Sequence, residues 1–148
     1  MISQKTIWTG RVISGAMIAF MLFDAAMHMT RIDPVVQAFA KLGFPMNLAI
    51  PLAVVELTCT LLYLYPRTAV LGAILLTGYL GGAVSMHLRV GSSLFGETLF
   101  PVYIGILLWL GLYLREPLLH ALAPLTETEG SREISEFAPH GAAAPQHR

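Results

Sequence analysis

Four long apolar segments, separated by short polar ones, dominate the hydrophobic pattern of the chain. They cover approximately residues 8–29, 46–64, 69–88 and 98–114. A helix needs about 20 apolar residues to cross a bilayer, and the segments lack the apolar–polar alternation of barrel strands. Only helices and closed barrels satisfy every backbone polar group in lipid. The pattern therefore predicts an all-α, integral membrane four-helix bundle.

The connection between the first two spans is long enough to hold a further helix. Asp33 can cap a helix that starts at Pro34, and Gly43 is typical of a helix end. Three apolar residues between them share one helical face, namely Val35, Phe39 and Leu42. A helix of about ten residues is too short to cross the bilayer, so we expect it to lie in the membrane interface. An ordinary ordered loop is the alternative.

Short connections make the later spans antiparallel. Residues 65–68 form a tight turn, and residues 90–97 are a polar turn rich in Gly and Ser. The third span carries two small-xxx-small patterns, Gly78 with Gly82 and Gly81 with Ser85. Such patterns allow two helices to approach closely, so we expect these residues to pack against a neighbouring helix.

The composition agrees with a membrane protein, since 55% of the residues are hydrophobic and only 12% are charged. A soluble domain carries about 25% charged residues. The formal net charge of 0 provides no basic surface for nucleic acid, so we expect the lipid bilayer as partner and no nucleic acid. Residues 126–148 contain few large apolar side chains. We therefore expect a membrane domain over residues 1–125 and a disordered cytoplasmic tail over residues 126–148.

The positive charges favour one orientation slightly. With the N-terminus in the cytoplasm, four Lys or Arg residues lie on that side and three on the opposite side: Lys5, Arg11, Arg67 and Arg115 against Arg31, Lys41 and Arg89. Since cytoplasmic ends of spans carry the excess of positive charge, we expect both termini in the cytoplasm.

Four ionisable residues interrupt the apolar segments: Asp24, His28, Glu56 and His87. A charge at a helix centre costs about 2.5–3.5 kcal/mol on insertion scales and usually faces the protein interior or a wet cavity. Asp24 and His28 are four residues apart and share a helix face. The topology places them and His87 at similar depth in the outer half, with Glu56 near the midplane. We predict an outward-opening polar pocket with Glu56 at its floor.

We expect catalytic, proton-handling roles for Glu56, His87 and Asp24, and ligand-binding roles for His28 and Arg89. Each has a structural alternative. A protonated Glu56 can relay protons, donate a hydrogen bond to a ligand, or simply link two helices. The structural role of Asp24 and His28 is then just a hydrogen bond to each other within one helix. His87 would serve as a hydrogen-bond donor between helices, and Arg89 would anchor the helix end at the interface.

We assign no metal ligands from the sequence. The methionines are typical of core filling, and Cys59 is the single cysteine. One cysteine excludes an intramolecular disulfide and a CxxC redox pair, so we expect Cys59 to be a small buried apolar residue.

Three further features carry a resemblance to a known family. They are the segment Lys-Leu-Gly-Phe-Pro at residues 41–45, the mid-span Glu56-Leu57, and the segment Gly-Ala-Val-Ser-Met-His-Leu-Arg at residues 82–89. Over about residues 8–116 the chain resembles the DoxX-like family. The resemblance implies a small four-helix protein of the bacterial inner membrane, with relatives linked to thiosulfate:quinone oxidoreduction, redox stress or thiol homeostasis. Glu56 and His87 match the polar positions of that family.

Three functions are compatible with these features. The first is a redox-linked accessory protein or small enzyme that binds a lipophilic, quinone-like molecule; a haem held by His28 and His87 is its less favoured variant. The second is a proton-coupled carrier that uses Asp24 and Glu56 as a relay and works as an oligomer. The third is a scaffold that recruits a membrane or redox protein through its helix faces or residues 31–45.

Overall fold

The computed structural model of the chain describes residues 4–116 and residue 119. These residues form five α-helices: α1 (Gln4–Thr30), α2 (Asp33–Leu42), α3 (Ala49–Leu64), α4 (Ala69–Arg89) and α5 (Phe100–Arg115). A 3₁₀ turn (Met46–Leu48) leads into α3, and a π-helical turn (Leu94–Thr98) precedes α5. The predicted domain boundary at residue 125 and the predicted disordered tail over residues 126–148 lie outside the described residues.

Within this part of the chain, four helical segments are long and apolar enough to cross a bilayer: Gln4–Thr30, Met46–Leu64, Ala69–Arg89 and Leu94–Arg115. The predicted four-helix membrane bundle is confirmed. The first and last spans each begin four residues earlier than predicted. The polar turn expected over residues 90–97 becomes helical at Leu94, so Glu97 lies in a helical turn and not in a loop.

The four long helices form a ring in which each contacts two others. α1 packs on α3 and α5, and α4 packs on the same two helices. Small residues allow the close approach, since a Cβ atom added to Gly10, Gly72 or Gly111 would collide with the backbone of the neighbouring helix. Close contact through small residues is how membrane helices gain packing energy, because lipid provides no hydrophobic drive between helices.

The glycines in the predicted small-xxx-small patterns of α4 behave differently. A Cβ atom added to Gly78, Gly81 or Gly82 meets nothing within 4 Å among the described residues. The expectation that these residues pack closely against a neighbouring helix is therefore wrong. Gly78 and Gly82 instead line a cavity inside the bundle.

Large apolar side chains cover the outside of the bundle. Phe23 is 64% exposed and Ile106 is 59% exposed, whereas Tyr63 and Leu76 are fully buried. In water such a surface would be unfavourable, but lipid chains cover it in a bilayer. The exposed apolar surface thus agrees with a membrane location.

The short helix predicted between the first two spans is α2. It begins at Asp33, one residue before the expected start, and Ile32 occupies the N-cap position. The Asp33 side chain makes no capping hydrogen bond, so the predicted cap is wrong. Gly43 ends the helix with a φ of 71°, a left-handed conformation that glycine adopts without steric cost. Two residues of the predicted apolar face, Val35 and Phe39, are buried.

Candidate functional site

Glu56 lies in the middle of α3 and its side chain is fully buried. The Tyr79 hydroxyl group of α4 donates a hydrogen bond to Oε2 of Glu56 over 3.1 Å. The other carboxyl oxygen, Oε1, has no hydrogen-bond partner among the described residues. A buried carboxyl group is costly unless its oxygens are paired, so Glu56 carries an unsatisfied polar atom into the interior of the bundle.

Asp24 and His28 bring a second helix to this carboxyl group. Nδ1 of His28 donates to the backbone carbonyl of Asp24 over 3.0 Å, one turn earlier on α1. The same nitrogen lies 3.4 Å from Oδ2 of Asp24 and 3.7 Å from Oε2 of Glu56. The three side chains form one group, which we term the Asp24–His28–Glu56 cluster.

The charges in this cluster are close together. One ligand atom from each of the three side chains lies within 4.8 Å of the others. The carboxyl groups of Asp24 and Glu56 are near enough to interact directly. Two carboxylates at this separation repel each other in an apolar environment unless a proton or a cation lies between them. The cluster is therefore suited to holding a positive charge.

A cavity of about 650 Å³ adjoins the cluster. Most of its wall is apolar, and its polar lining residues are Asp24, His28, Tyr79, Ser85 and His87. Glu56 does not line the cavity itself but interacts with three of these residues, Asp24, His28 and Tyr79. Ligand sites typically enclose about 300–1,000 Å³ and combine an apolar wall with a few polar groups. The size and chemistry of the cavity fit an apolar molecule with a polar head.

α2 provides one wall of the cavity. Ala38, Phe39 and Leu42 line it, and the Phe39 ring lies 5.7 Å from the His28 ring, measured between centroids. Two charged contacts fix the end of this helix. Lys41 Nζ lies 2.6 Å and 2.7 Å from the two carboxyl oxygens of Glu97.

Arg89 makes the second of these contacts, because its guanidinium group donates to the backbone carbonyl of Leu42. The contact joins the end of α4 to the end of α2. Arg89 is not among the residues that line the cavity. Its expected ligand-binding role stays a prediction, while the contact itself ties two helices together.

The structure therefore brings together only part of the predicted set. Asp24, His28 and Glu56 are in direct contact, so Glu56 does not lie apart from the others. His87 lines the same cavity, but its Nδ1 is 3.1 Å from the Ser92 hydroxyl oxygen. This contact fixes the ring orientation of His87, which lines the cavity apart from the Asp24–His28–Glu56 cluster.

Sequence reasoning missed Tyr79 and the contribution of Phe39 to the cavity. A tyrosine inside an apolar span is one available signal, because a hydroxyl group at that depth needs a hydrogen-bond partner. The partner of Tyr79 depends on how α3 and α4 are rotated against each other, which hydropathy does not determine.

Comparison with known proteins gives one result. The model of the DoxX-like family matches residues 12–111. This range includes the Asp24–His28–Glu56 cluster and every residue that lines the cavity. No curated protein and no solved structure matches the chain.

Proposed function

The chain belongs to the DoxX-like family, and from this premise we propose that it binds a lipophilic, quinone-like molecule as a redox-linked accessory protein or small enzyme. We further propose the bacterial inner membrane as its location, with both termini in the cytoplasm. The cavity then lies towards the outer side of the membrane.

The cavity is the observation that carries this proposal. Its apolar wall is formed by side chains such as Phe20, Leu52, Phe100 and Ile104. Such a wall favours an apolar ligand over an ion or a sugar, because apolar surface leaves water when the ligand enters. A molecule dissolved in the bilayer could reach the cavity without crossing an aqueous phase.

The polar residues of the cavity suit the head group of a quinone-like ligand. A quinone head accepts hydrogen bonds at its carbonyl oxygens, which His87 can donate from Nε2. His28 can donate from Nε2 when it is protonated, because its Nδ1–H already bonds the Asp24 carbonyl. The reduced form donates from its hydroxyl groups, which the Asp24 carboxylate can accept. Reduction of a quinone also takes up protons, and histidine and carboxyl side chains are suited to that transfer.

Glu56 extends the polar part of the cavity wall into the interior of the bundle. It contacts His28 and Tyr79, so a proton held at His28 has a carboxyl group within 3.7 Å. This arrangement supports proton handling at the cavity and does not depend on Arg89. The carrier and scaffold functions considered from the sequence stay predictions.

The proposal is tested by identifying what the protein retains when it is purified in nanodiscs made from its own membrane. We expect organic extracts to contain a quinone enriched over the surrounding lipid. Gly82→Leu adds a side chain where the cavity lies and should abolish the enrichment. Gly81→Leu adds the same side chain one residue earlier, outside the cavity lining, and should keep it. Equal enrichment in both variants, or none in the wild type, would contradict the proposal.

A further inference from the structure

We propose that the Asp24–His28–Glu56 cluster is a binding site for a divalent transition-metal ion of the Zn²⁺ class. No metal ligands are predicted from the sequence, in which Asp24 and His28 share one helix and Glu56 lies on another. The structure brings their ligand atoms within 4.8 Å of one another. The inference does not depend on the quinone-like ligand.

The two distances from Nδ1 of His28 are close to those expected around such an ion. Bonds from zinc to imidazole nitrogen and carboxylate oxygen are about 2.0–2.2 Å long, so tetrahedral ligand atoms lie roughly 3.3–3.6 Å apart. Nδ1 of His28 is 3.4 Å from Oδ2 of Asp24 and 3.7 Å from Oε2 of Glu56. An ion at this point would take the place of the proton that Nδ1 now donates to the Asp24 carbonyl.

The ligand types select the class of ion. Imidazole nitrogen suits zinc and its transition-metal neighbours, whereas magnesium and calcium prefer oxygen ligands alone. Two carboxylates and one neutral imidazole also balance the charge of one divalent cation. Burial of this neutral unit avoids the cost of two uncompensated carboxylates in an apolar bundle.

The buried Oε1 of Glu56 is an independent observation. The side chain is fully buried, and this oxygen accepts no hydrogen bond within the described part of the chain. Such an atom costs free energy unless a partner satisfies it. A cation bound by both carboxyl oxygens of Glu56 would supply that partner. Three protein ligands leave a fourth position available, and Asp24 and His28 also line the cavity.

The test is a titration of chelator-treated, full-length protein in nanodiscs with Co²⁺, followed through its visible absorption, without added quinone. We expect saturation at one ion per chain. Glu56→Gln and His28→Asn should weaken binding by more than about tenfold, since losing even a group that orients a ligand costs about 10–100-fold. Asp33→Asn, which removes an exposed carboxylate from α2, should bind like the wild type.

Thermal unfolding with Zn²⁺ provides a second measurement that does not require the binding variants to be equally stable. Zn²⁺ should raise the Tm of the wild type and of Asp33→Asn, but not that of Asp24→Asn, because a ligand stabilises only the state that binds it. Unsaturable Co²⁺ binding, or equal binding by the wild type, Glu56→Gln and His28→Asn, would overturn the inference. A shared proton would then be what holds the two carboxyl groups together.

Discussion

The Tyr79 hydroxyl group donates a hydrogen bond to Oε2 of Glu56 over 3.1 Å, which joins α4 to α3 inside the bundle. Tyr79→Phe removes only the donor. We expect the folded bundle to lose about 0.6 kcal/mol and no more than about 1.7 kcal/mol, the average and the largest value measured for hydrogen bonds between membrane helices. Reversible unfolding in mixed micelles measures the change. Tyr103→Phe, at a 43% exposed tyrosine of α5, is the matched control. Equal stability of the two variants would show that the bond contributes nothing.

A second polar contact between helices lies away from the cavity. Its removal should lower stability without changing the affinity for ligand or metal. The Tyr63 hydroxyl group donates to the Leu108 carbonyl over 2.7 Å and lies 3.1 Å from the Ser14 hydroxyl oxygen. Tyr63→Phe should destabilise the bundle by about 0.6–2 kcal/mol. Ligand and metal affinities should match those of the wild type. A Tyr63→Phe protein that folds normally but loses either affinity would contradict the location of the sites.

Glycine substitutions on α4 separate packing from cavity formation. Gly82→Leu should leave the bundle as stable as the wild type or make it more stable by up to about 1 kcal/mol, because leucine favours helix more than glycine. An added Cβ there meets nothing within 4 Å among the described residues. Gly72→Ala should destabilise the bundle, since its Cβ would fall on the Tyr63 backbone. Thermal unfolding measures the stability of both variants. A Gly82→Leu protein that is less stable than Gly72→Ala would refute the assignment of Gly72 to a helix contact and of Gly82 to the cavity.

The Lys41–Glu97 pair holds α2 against the rest of the protein. Lys41→Glu places two carboxylates together and should speed hydrogen exchange across α2 at low salt. The double variant Lys41→Glu, Glu97→Lys restores the opposite charges and should restore slow exchange. High salt should reduce the difference, because exposed charges are screened. Unchanged exchange in Lys41→Glu would mean that the ion pair with Glu97 does not position α2.

The hydrophobic pattern predicts the long helices well because apolar length is a local property of the chain. The same holds for α2, whose Pro34 and Gly43 mark its ends. The close contacts at Gly10, Gly72 and Gly111 are not predictable in this way. They depend on which helix faces meet, and the more conspicuous glycine pattern of α4 lines the cavity instead.

The candidate site is predictable only in part. Asp24 and His28 are four residues apart, so helical geometry alone places them on one face. The contact of His28 with Glu56 requires the rotation of α1 against α3, and the bond from Tyr79 requires that of α4. His87 shares the cavity, but its contact with Ser92 depends on how the chain turns after α4.

The most direct measurement of the central claim is an equilibrium titration of the full-length protein, in quinone-free nanodiscs, with a short-chain ubiquinone analogue. Saturable binding is expected for the wild type and for Gly81→Leu. Gly82→Leu should bind at least about tenfold more weakly, which corresponds to a loss of about 1.4 kcal/mol. Binding no greater than that of empty nanodiscs, or equal affinity in Gly82→Leu and Gly81→Leu, would contradict the proposed ligand cavity.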